Sequence, residues 1–194
     1  MITAHENILK DFVDPKDRIP FEDWSLFTAI WHAKEFKRKE IISPAEETEK
    51  FLYFILNGAQ RVYYSDNNKE ATLIFTYPHS FGGNLDSFLL QVPSNYTYEA
   101  LTKSLVLRAH YSDIHTLRAQ STIFNAYFNS STHFALAGLL QRMVELQCYS
   151  STEKFQSLLE RSPHILNHIP HKYLANYIGV DATNFSKLIN SVKI

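Results

Sequence analysis

The hydrophobic pattern divides the chain into a strand-rich first half and a helix-rich second half. Asn57-Gly58 is a turn signal between two apolar runs and predicts a hairpin, and residues 65–68 form a second polar turn. The strand candidates are rich in aromatic and β-branched residues and cover residues 51–56, 62–64, 71–77, 96–102 and 105–109. Short strands that follow one another every ~8 to 12 residues predict a β-sandwich or barrel.

Two segments on either side of these strands have helical periodicity. Residues 20–31 predict a helix with Pro20 in its first turn and with Trp24, Phe27 and Trp31 on one face. Residues 112–148 contain no proline and predict one long helix. Its apolar stripe consists of Phe124, Phe128, Ala135, Leu139, Met143 and Leu146, with Leu136 and Leu140 beside it. So broad a surface favours a homodimer formed through this helix; the alternative is a helix buried only within its own subunit.

The last 45 residues predict a set of short helices. A helix begins near residues 151–154, has a core face, and ends at Ser162-Pro163. Pro170 then begins a second helix, Gly179 permits a tight turn, and Asp181 caps a third. The core residues are Phe155, Leu158, Leu159, Leu174, Ala175, Ile178, Phe185, Leu188 and Ile189. Two short helices that cross through a glycine turn are typical of a helix-turn-helix.

Composition excludes several classes of protein. The 194 residues carry a formal net charge of -1, so the chain has no uniformly basic surface for nucleic acid. Residues 150–194 hold five basic and three acidic side chains, whereas the other residues hold 14 and 17, so a phosphate-binding surface is expected in the C-terminal part. Cys148 is the single cysteine, which excludes an intramolecular disulfide and a Cys-ligated zinc or iron–sulfur site built from one chain. No apolar run approaches the ~20 residues that span a bilayer, and we expect a cytoplasmic protein without a membrane contact.

The order of these elements resembles the Crp/Fnr family of transcription regulators. The similarity is carried by residues 51–63, by Ser80-Phe81-Gly82-Gly83 with Ser87-Phe88 and Pro93-Ser94, and by residues 169–180. It implies an α+β fold in which a β-roll, a double-stranded jelly roll of the cyclic nucleotide-binding type, precedes a long dimerisation helix and a helix-turn-helix. The implied domains are a sensor over residues 1–148, with the dimerisation helix at about 112–148, and a DNA-binding domain over residues 149–194 that ends before a β-wing.

The resemblance also implies partners and sites. Double-stranded DNA, a second copy of the chain, a small-molecule effector and RNA polymerase are the partners it suggests. By position in the family's helix-turn-helix, the DNA-binding residues are Ala182, Thr183, Asn184, Ser186 and Lys187. Lys187 stands where an arginine is usual, and lysine supplies charge without a bidentate guanine contact.

The effector region departs from the family pattern. Relatives that bind cyclic nucleotide have a glutamate after the Phe-Gly pair and an arginine after the proline, and this chain has Gly83 and Ser94 there. The expected effector-binding residues are Gly82, Gly83, Asn84, Ser94 and Asn95. Without the glutamate and the arginine, cyclic AMP is not expected as the ligand; the site takes an uncharged or different anionic effector through its amides, or it takes none.

Other chemistries are weighed against this hypothesis. His164, His168 and His171 lie within eight residues, but Pro170 separates the last two, so we expect no metal site. His79 is isolated, and we expect it on the surface rather than on a haem iron. The chain has no nucleophile elbow or phosphate-binding glycine loop, so we expect no enzyme. The alternative function is a ligand-binding or protein-interaction module whose DNA binding is weak or lost.

Overall fold

The structure is a computed structural model that describes residues 4–67 and 69–191. The strands are β1 (His32–Phe36), β2 (Ile41–Ser43), β3 (Phe51–Asn57), β4 (Gln60–Asp66), β5 (Lys69–Thr76), β6 (Phe81–Gly82), β7 (Thr97–Ala100) and β8 (Ser104–His110). The helices are α1 (Ala4–Val13), α2 (Phe21–Ala29), α3 (Leu85–Leu90), α4 (Tyr111–Gln120), α5 (Thr122–Cys148), α6 (Ser151–Arg161), α7 (Ile165–His168), α8 (His171–Ile178) and α9 (Ala182–Ser191).

The strands form a β-roll of two antiparallel sheets. One sheet has the order β1-β8-β3-β6 and the other the order β2-β7-β4-β5. Their inner faces share a core to which the first sheet contributes Tyr53, Ile55 and Val106 and the second contributes Val62 and Tyr98. The predicted α+β fold, a β-roll followed by a long helix and a smaller helical region, is confirmed.

The chain turns at Asn57-Gly58 as predicted, but the predicted hairpin is wrong, because β3 pairs with β6 and β8 in the first sheet whereas β4 pairs with β5 and β7 in the second. Gly58 has a φ of +91°, and a Cβ at this position would lie 2.6 Å from the Lys103 carbonyl oxygen. Only glycine fits both restraints. The following turn is shorter than predicted, because β4 continues to Asp66 and β5 begins at Lys69, two residues before the expected start. Asn68, in that turn, lies outside the described residues.

The N-terminal helices cover the outer face of the first sheet. The helix predicted over residues 20–31 is α2, which ends at Ala29 and buries Trp24 and Phe27. Phe27 stacks on Phe124 of α5 with ring centroids 4.3 Å apart. Leu52 and Leu107 of the sheet belong to the same core, so α2, α5 and the β-roll are packed as one body at this end.

The single helix predicted over residues 112–148 is wrong in one respect, since the chain forms α4 and α5 with a break at Ser121. Ser121 has extended backbone angles, φ -121° and ψ 114°. Its hydroxyl accepts the Phe124 N–H at 3.2 Å and donates to the Asp23 carboxylate of α2. The serine therefore begins a new helix and anchors it to α2.

The predicted C-terminal helices are present. Ser150 and Glu153 form a capping box at the start of α6, and Pro170 precedes α8. Their core is continuous with the β-roll, because Phe155 and Ile178 share one cluster with Ala59. The C-terminal helices thus pack on the roll instead of forming a block with a wholly separate core. No helix among residues 4–67 and 69–191 has the length and apolar content to span a bilayer.

Candidate nucleic-acid interface and effector region

A glycine turn and a side-chain cap join α8 to α9. Gly179 has a φ of +74°, in the left-handed region, and its N–H donates to the Asn176 carbonyl at 3.1 Å. Asp181 then accepts the Asn184 backbone N–H at 2.8 Å and the Asn184 side-chain amide at 2.7 Å. The sequence predicted both devices, and they set the crossing of the two helices.

One face of α9 is anchored and the opposite face is free. Phe185 and Leu188 are buried, and the Phe185 ring meets Phe155 edge-on at 5.4 Å. The five residues predicted to bind DNA all lie on the exposed surface of this helix: Ala182, Thr183, Asn184, Ser186 and Lys187. Two of them already bond within the first turns, since Asn184 bonds to Asp181 and the Ser186 hydroxyl donates to the Ala182 carbonyl at 3.0 Å. Lys187 is the charged member of the group.

The middle of α5 is exposed although it is apolar. Only Phe124, Arg142 and Glu145 of this 27-residue helix are buried. Phe134 is 79% exposed, and the large apolar side chains of Leu136, Leu139, Leu140, Met143, Val144 and Leu146 are exposed as well. The alternative in which the whole helix is buried within its own subunit therefore fails for residues 132–141. Such a row of apolar side chains on one helix is unusual for a monomer and is typical of a contact surface.

The effector residues predicted after β6 are close-packed. A Cβ on Gly82 would lie 2.6 Å from the Tyr98 hydroxyl, and one on Gly83, at φ +129°, would lie 3.3 Å from the Phe51 carbonyl oxygen. Asn84 is fully buried and donates its side-chain N–H to the Tyr96 carbonyl at 3.0 Å. Its Oδ1 has no hydrogen-bond partner among the described residues.

Ser94 joins this cluster and Asn95 does not. The Ser94 side chain is 1% exposed, donates to the Asp86 carboxylate of α3 at 3.3 Å, and accepts the Tyr96 N–H at 3.1 Å. Asn95 is exposed. The structure thus brings Gly82, Gly83, Asn84 and Ser94 together at the start of α3.

Glu49 also lies in this region, and no sequence pattern predicted it. Glu49 is 2% exposed, and its carboxylate accepts the Phe51 N–H at 3.0 Å, the Tyr53 hydroxyl at 3.3 Å and the Asn84 N–H at 3.5 Å. Burial raises the pKa of Glu49, and these donors offset part of that rise. Neither Glu49 nor Asp86 forms an ion pair within residues 4–67 and 69–191. An anionic ligand here would meet two carboxylates of the chain itself.

Comparisons with known proteins agree with this architecture. Residues 33–121 match the family model described as the cyclic nucleotide-binding domain. FixK2 from Bradyrhizobium japonicum has a TM-score of 0.73 at 14% identity, with 83% of both chains covered. A transcriptional regulator of the crp/fnr family from Eubacterium rectale has a TM-score of 0.69 at 16% identity, with 93% of this chain and 86% of that one covered.

A CooA mutant from Carboxydothermus hydrogenoformans aligns over nearly the whole chain. Its TM-score is 0.67 at 14% identity, with 98% of this chain and 85% of that one covered. A search of curated protein sequences finds no match. Residues 33–121 therefore resemble the cyclic nucleotide-binding domain, and the chain shares its overall fold with these regulators.

Proposed function

We propose that the chain is a DNA-binding transcription regulator of the Crp/Fnr type. The observation that carries the proposal is the arrangement of α9, which is held by Phe185 and Leu188 while its predicted DNA-binding face, Ala182 to Lys187, stays open to solvent. A helix that protrudes in this way fits the major groove, where its first turns meet base edges and phosphates. In this proposal Lys187 contacts a phosphate, and Thr183 and Asn184 lie nearest the bases.

The proposal includes a homodimer formed through α5. Burying a large apolar side chain contributes roughly 1.5 to 3 kcal/mol, so pairing the exposed faces of two α5 helices provides a favourable free energy of the size that association needs. A two-fold dimer presents two copies of α9 to half-sites about 34 to 36 Å apart, one turn of DNA. Three further points stay predictions. They are RNA polymerase as a partner, the cytoplasm as the location, and the division of the chain into two domains between residues 148 and 149.

The proposal also covers the kind of effector that the β-roll binds. Small ligands are proposed to enter near Gly82, Gly83, Asn84 and Ser94, where the backbone amides lie beside Glu49. Because two carboxylates lie there and neither forms an ion pair among the described residues, an uncharged ligand fits this region better than a phosphate does. We do not assign cyclic AMP to it.

Selection from random duplexes tests DNA binding. The purified chain should enrich a two-fold sequence, and Lys187→Ala should weaken binding to it and lower the salt slope. The slope, log affinity against log salt, should fall by about 2 for a dimer, because each phosphate contact contributes about 0.9. Lys37→Ala, at an exposed turn residue of the β-roll, is the matched control and should leave the slope unchanged. Failure to enrich any duplex at low salt would remove the proposal.

Sedimentation tests the dimer separately. Leu139→Glu places a charge in the middle of the exposed α5 face and should shift the protein from dimer to monomer at micromolar concentration. Leu139 is 49% exposed, and Leu89 of α3 is 45% exposed, so Leu89→Glu is a control of equal exposure and chemistry. A monomeric wild type, or equal effects of both substitutions, would contradict dimerisation through α5.

A second function has one observation in its favour. Of the five predicted DNA-binding side chains only Lys187 is charged, and Asn184 and Ser186 bond within their own segment. A ligand-binding or protein-interaction module with weak DNA binding fits this poor surface. It predicts that the dimer forms in sedimentation while no duplex is selected.

A further inference from the structure

The helix-turn-helix packs on the second sheet of its own β-roll. Helix α8 lies along β5, which is one of the two edge strands of the sheet β2-β7-β4-β5. The Phe75 and Tyr177 rings are 5.2 Å apart across this contact, and the Tyr77 hydroxyl lies 2.6 Å from the Ser162 hydroxyl at the end of α6. The contact is therefore apolar at one place and hydrogen-bonded at another.

Arg61 is the centre of the polar part of this contact. It is 3% exposed and lies directly opposite Glu99 on the neighbouring strand, to which its Nε donates at 3.0 Å. Its other nitrogens donate to both oxygens of Glu70 at 2.6 and 3.0 Å. The guanidinium lies between two rings, 4.0 Å from Tyr63 of its own strand and 4.3 Å from Tyr173 of α8. Tyr173 thus covers a buried charge pair that would otherwise face water.

Asn176 bonds to the edge strand as a neighbouring strand would. Its Oδ1 accepts the Thr72 N–H at 2.6 Å, and its Nδ2 donates to the Glu70 carbonyl at 2.7 Å. An edge strand leaves such backbone groups without a partner, and one side-chain amide satisfies a donor and an acceptor together. Because the two bonds run in opposite directions, they fix the position of α8 along β5 and its rotation.

A second attachment holds α8 from the side of α5. Arg142 donates to the Tyr177 carbonyl of α8 and to Glu145 on its own helix. Glu145 in turn accepts hydrogen bonds from Ser157 and Arg161 of α6. The predicted DNA-binding residues of α9 stay exposed while all these contacts are in place, so the contacts do not cover that surface.

We propose that Asn176 and Arg61 are positioning residues that hold α9 in one orientation relative to the β-roll, and so set the spacing of the half-sites that the dimer accepts. The groups that hold α8 belong to the chain itself, so the orientation requires no bound effector. The DNA arm of this inference rests on the proposed function, whereas the orientation itself does not.

Half-site spacing gives the sharper test. Wild-type protein should lose roughly tenfold or more in affinity when two base pairs are inserted between the half-sites of its selected duplex, since a rigid dimer then engages only one of them. Asn176→Ala leaves no buried charge behind; it should bind the original duplex more weakly and lose less than about threefold on insertion. Asn167→Ala, at an exposed position in α7, is the matched control. Arg61→Lys, compared with Arg108→Lys on the other sheet, should repeat the result.

Some outcomes would overturn the proposal. If Asn176→Ala kept the wild-type spacing preference, the contact would not orient α9, and if it bound DNA more tightly, the contact would be inhibitory. A change in thermal stability without a change in spacing preference would mean that the role is only structural.

A distance measurement decides the orientation without DNA. Spin labels at Lys34→Cys and Asn190→Cys, in a Cys148→Ser background and diluted with unlabelled chain, should give one narrow distance distribution. Asn176→Ala should broaden it, and an unbroadened distribution would refute the positioning role. If no duplex is selected, the proposed function fails, and this measurement alone still decides the inference.

Discussion

Two buried carboxylates in this protein lie in opposite electrostatic surroundings. Glu145, on α5, is fully buried and bonds to Arg142, Arg161 and Ser157. Burial alone would raise its pKa, but hydrogen bonds from Arg161, Ser157 and Arg142 lower it to about 2. Glu49, beside α3, is buried almost as completely without an ion pair, and burial raises its pKa.

The difference shows where this chain uses its cations. Arg142 and Arg161 join α5, α6 and α8, and Arg61 joins the β-roll to α8, so three of the guanidinium groups hold the C-terminal helices in place. At the start of α3, where a phosphate would need a cation, the hydrogen-bond partners of Asn84 and Ser94 include the carboxylates of Glu49 and Asp86. The contact between the β-roll and the C-terminal helices is therefore built from strong charge-assisted contacts, and the expected effector region is not.

Replacing Glu145 and Glu49 one at a time should give the largest difference in the free energy of unfolding. Glu145→Ala leaves Arg142 buried without its partner and should lower the free energy of unfolding by about 3 to 5 kcal/mol. Glu49→Gln keeps an acceptor for Phe51 and removes a buried charge, so it should change the free energy by less than about 1 kcal/mol. Urea denaturation at neutral pH measures both. Equal losses would mean that the ion pairs add nothing to the stability of the C-terminal helices.

Acidification should change the free energy of unfolding in opposite directions through Glu145 and Glu49. The pKa of Glu145 is lowered from 4.5 to about 2, so its stabilisation is present above pH ~4.5 and is lost as the pH falls to about 2, roughly 3 kcal/mol in total. The pKa of Glu49 is raised, so the folded state gains stability as the pH falls through that raised value. Urea unfolding from pH 7 to 2.5 should show that Glu145→Gln lacks the loss and Glu49→Gln lacks the gain. Superimposed profiles for wild type and both variants would contradict these assignments.

Local signals predicted much of the fold. Pro20, Asn57-Gly58, Pro170 and Gly179 each constrain the backbone by their own chemistry, and the elements that they bound are where the sequence placed them. The break at Ser121 was missed because a serine cap is decided by its contact with Asp23, which lies far away in sequence. The short strands β1, β2 and β6 were missed because they depend on pairing with distant strands.

The residues of the candidate sites also fall into those that local patterns predict and those that depend on distant contacts. The exposed face of α9 follows from helical spacing once Phe185 and Leu188 are known to be core residues. Glu49 and Asn176 gave no signal, since a glutamate before a strand and an asparagine in a helix are ordinary, and their roles arise from contacts with Asn84 and with β5. Residues whose function depends on tertiary pairing are the ones that sequence patterns do not reveal.

The smallest expected effect is the binding of cyclic nucleotides, which tests whether the surroundings of Glu49 disfavour an anion. Gly83 and Ser94 stand where cyclic nucleotide-binding relatives carry a glutamate and an arginine, and Ser94 bonds to Asp86 instead of to a ligand. A lost charge-assisted hydrogen bond removes roughly 1.5 to 3 kcal/mol of binding, about ten- to a hundredfold in affinity, and the uncompensated charge of Glu49 adds to the loss. Calorimetry with cyclic AMP and with cyclic GMP should therefore detect no site tighter than about 100 μM.

Glu49→Gln and Asp86→Asn sharpen this measurement, because each removes one negative charge near Asn84. If repulsion is the cause of weak binding, each should tighten any residual nucleotide binding, whereas Glu153→Gln at the exposed start of α6 should not. A submicromolar constant for the wild type would show that the amides at Gly83 and Asn84 suffice to hold a phosphate. The contrast between the two buried carboxylates would then say nothing about ligand choice, because the anion would bind in spite of Glu49.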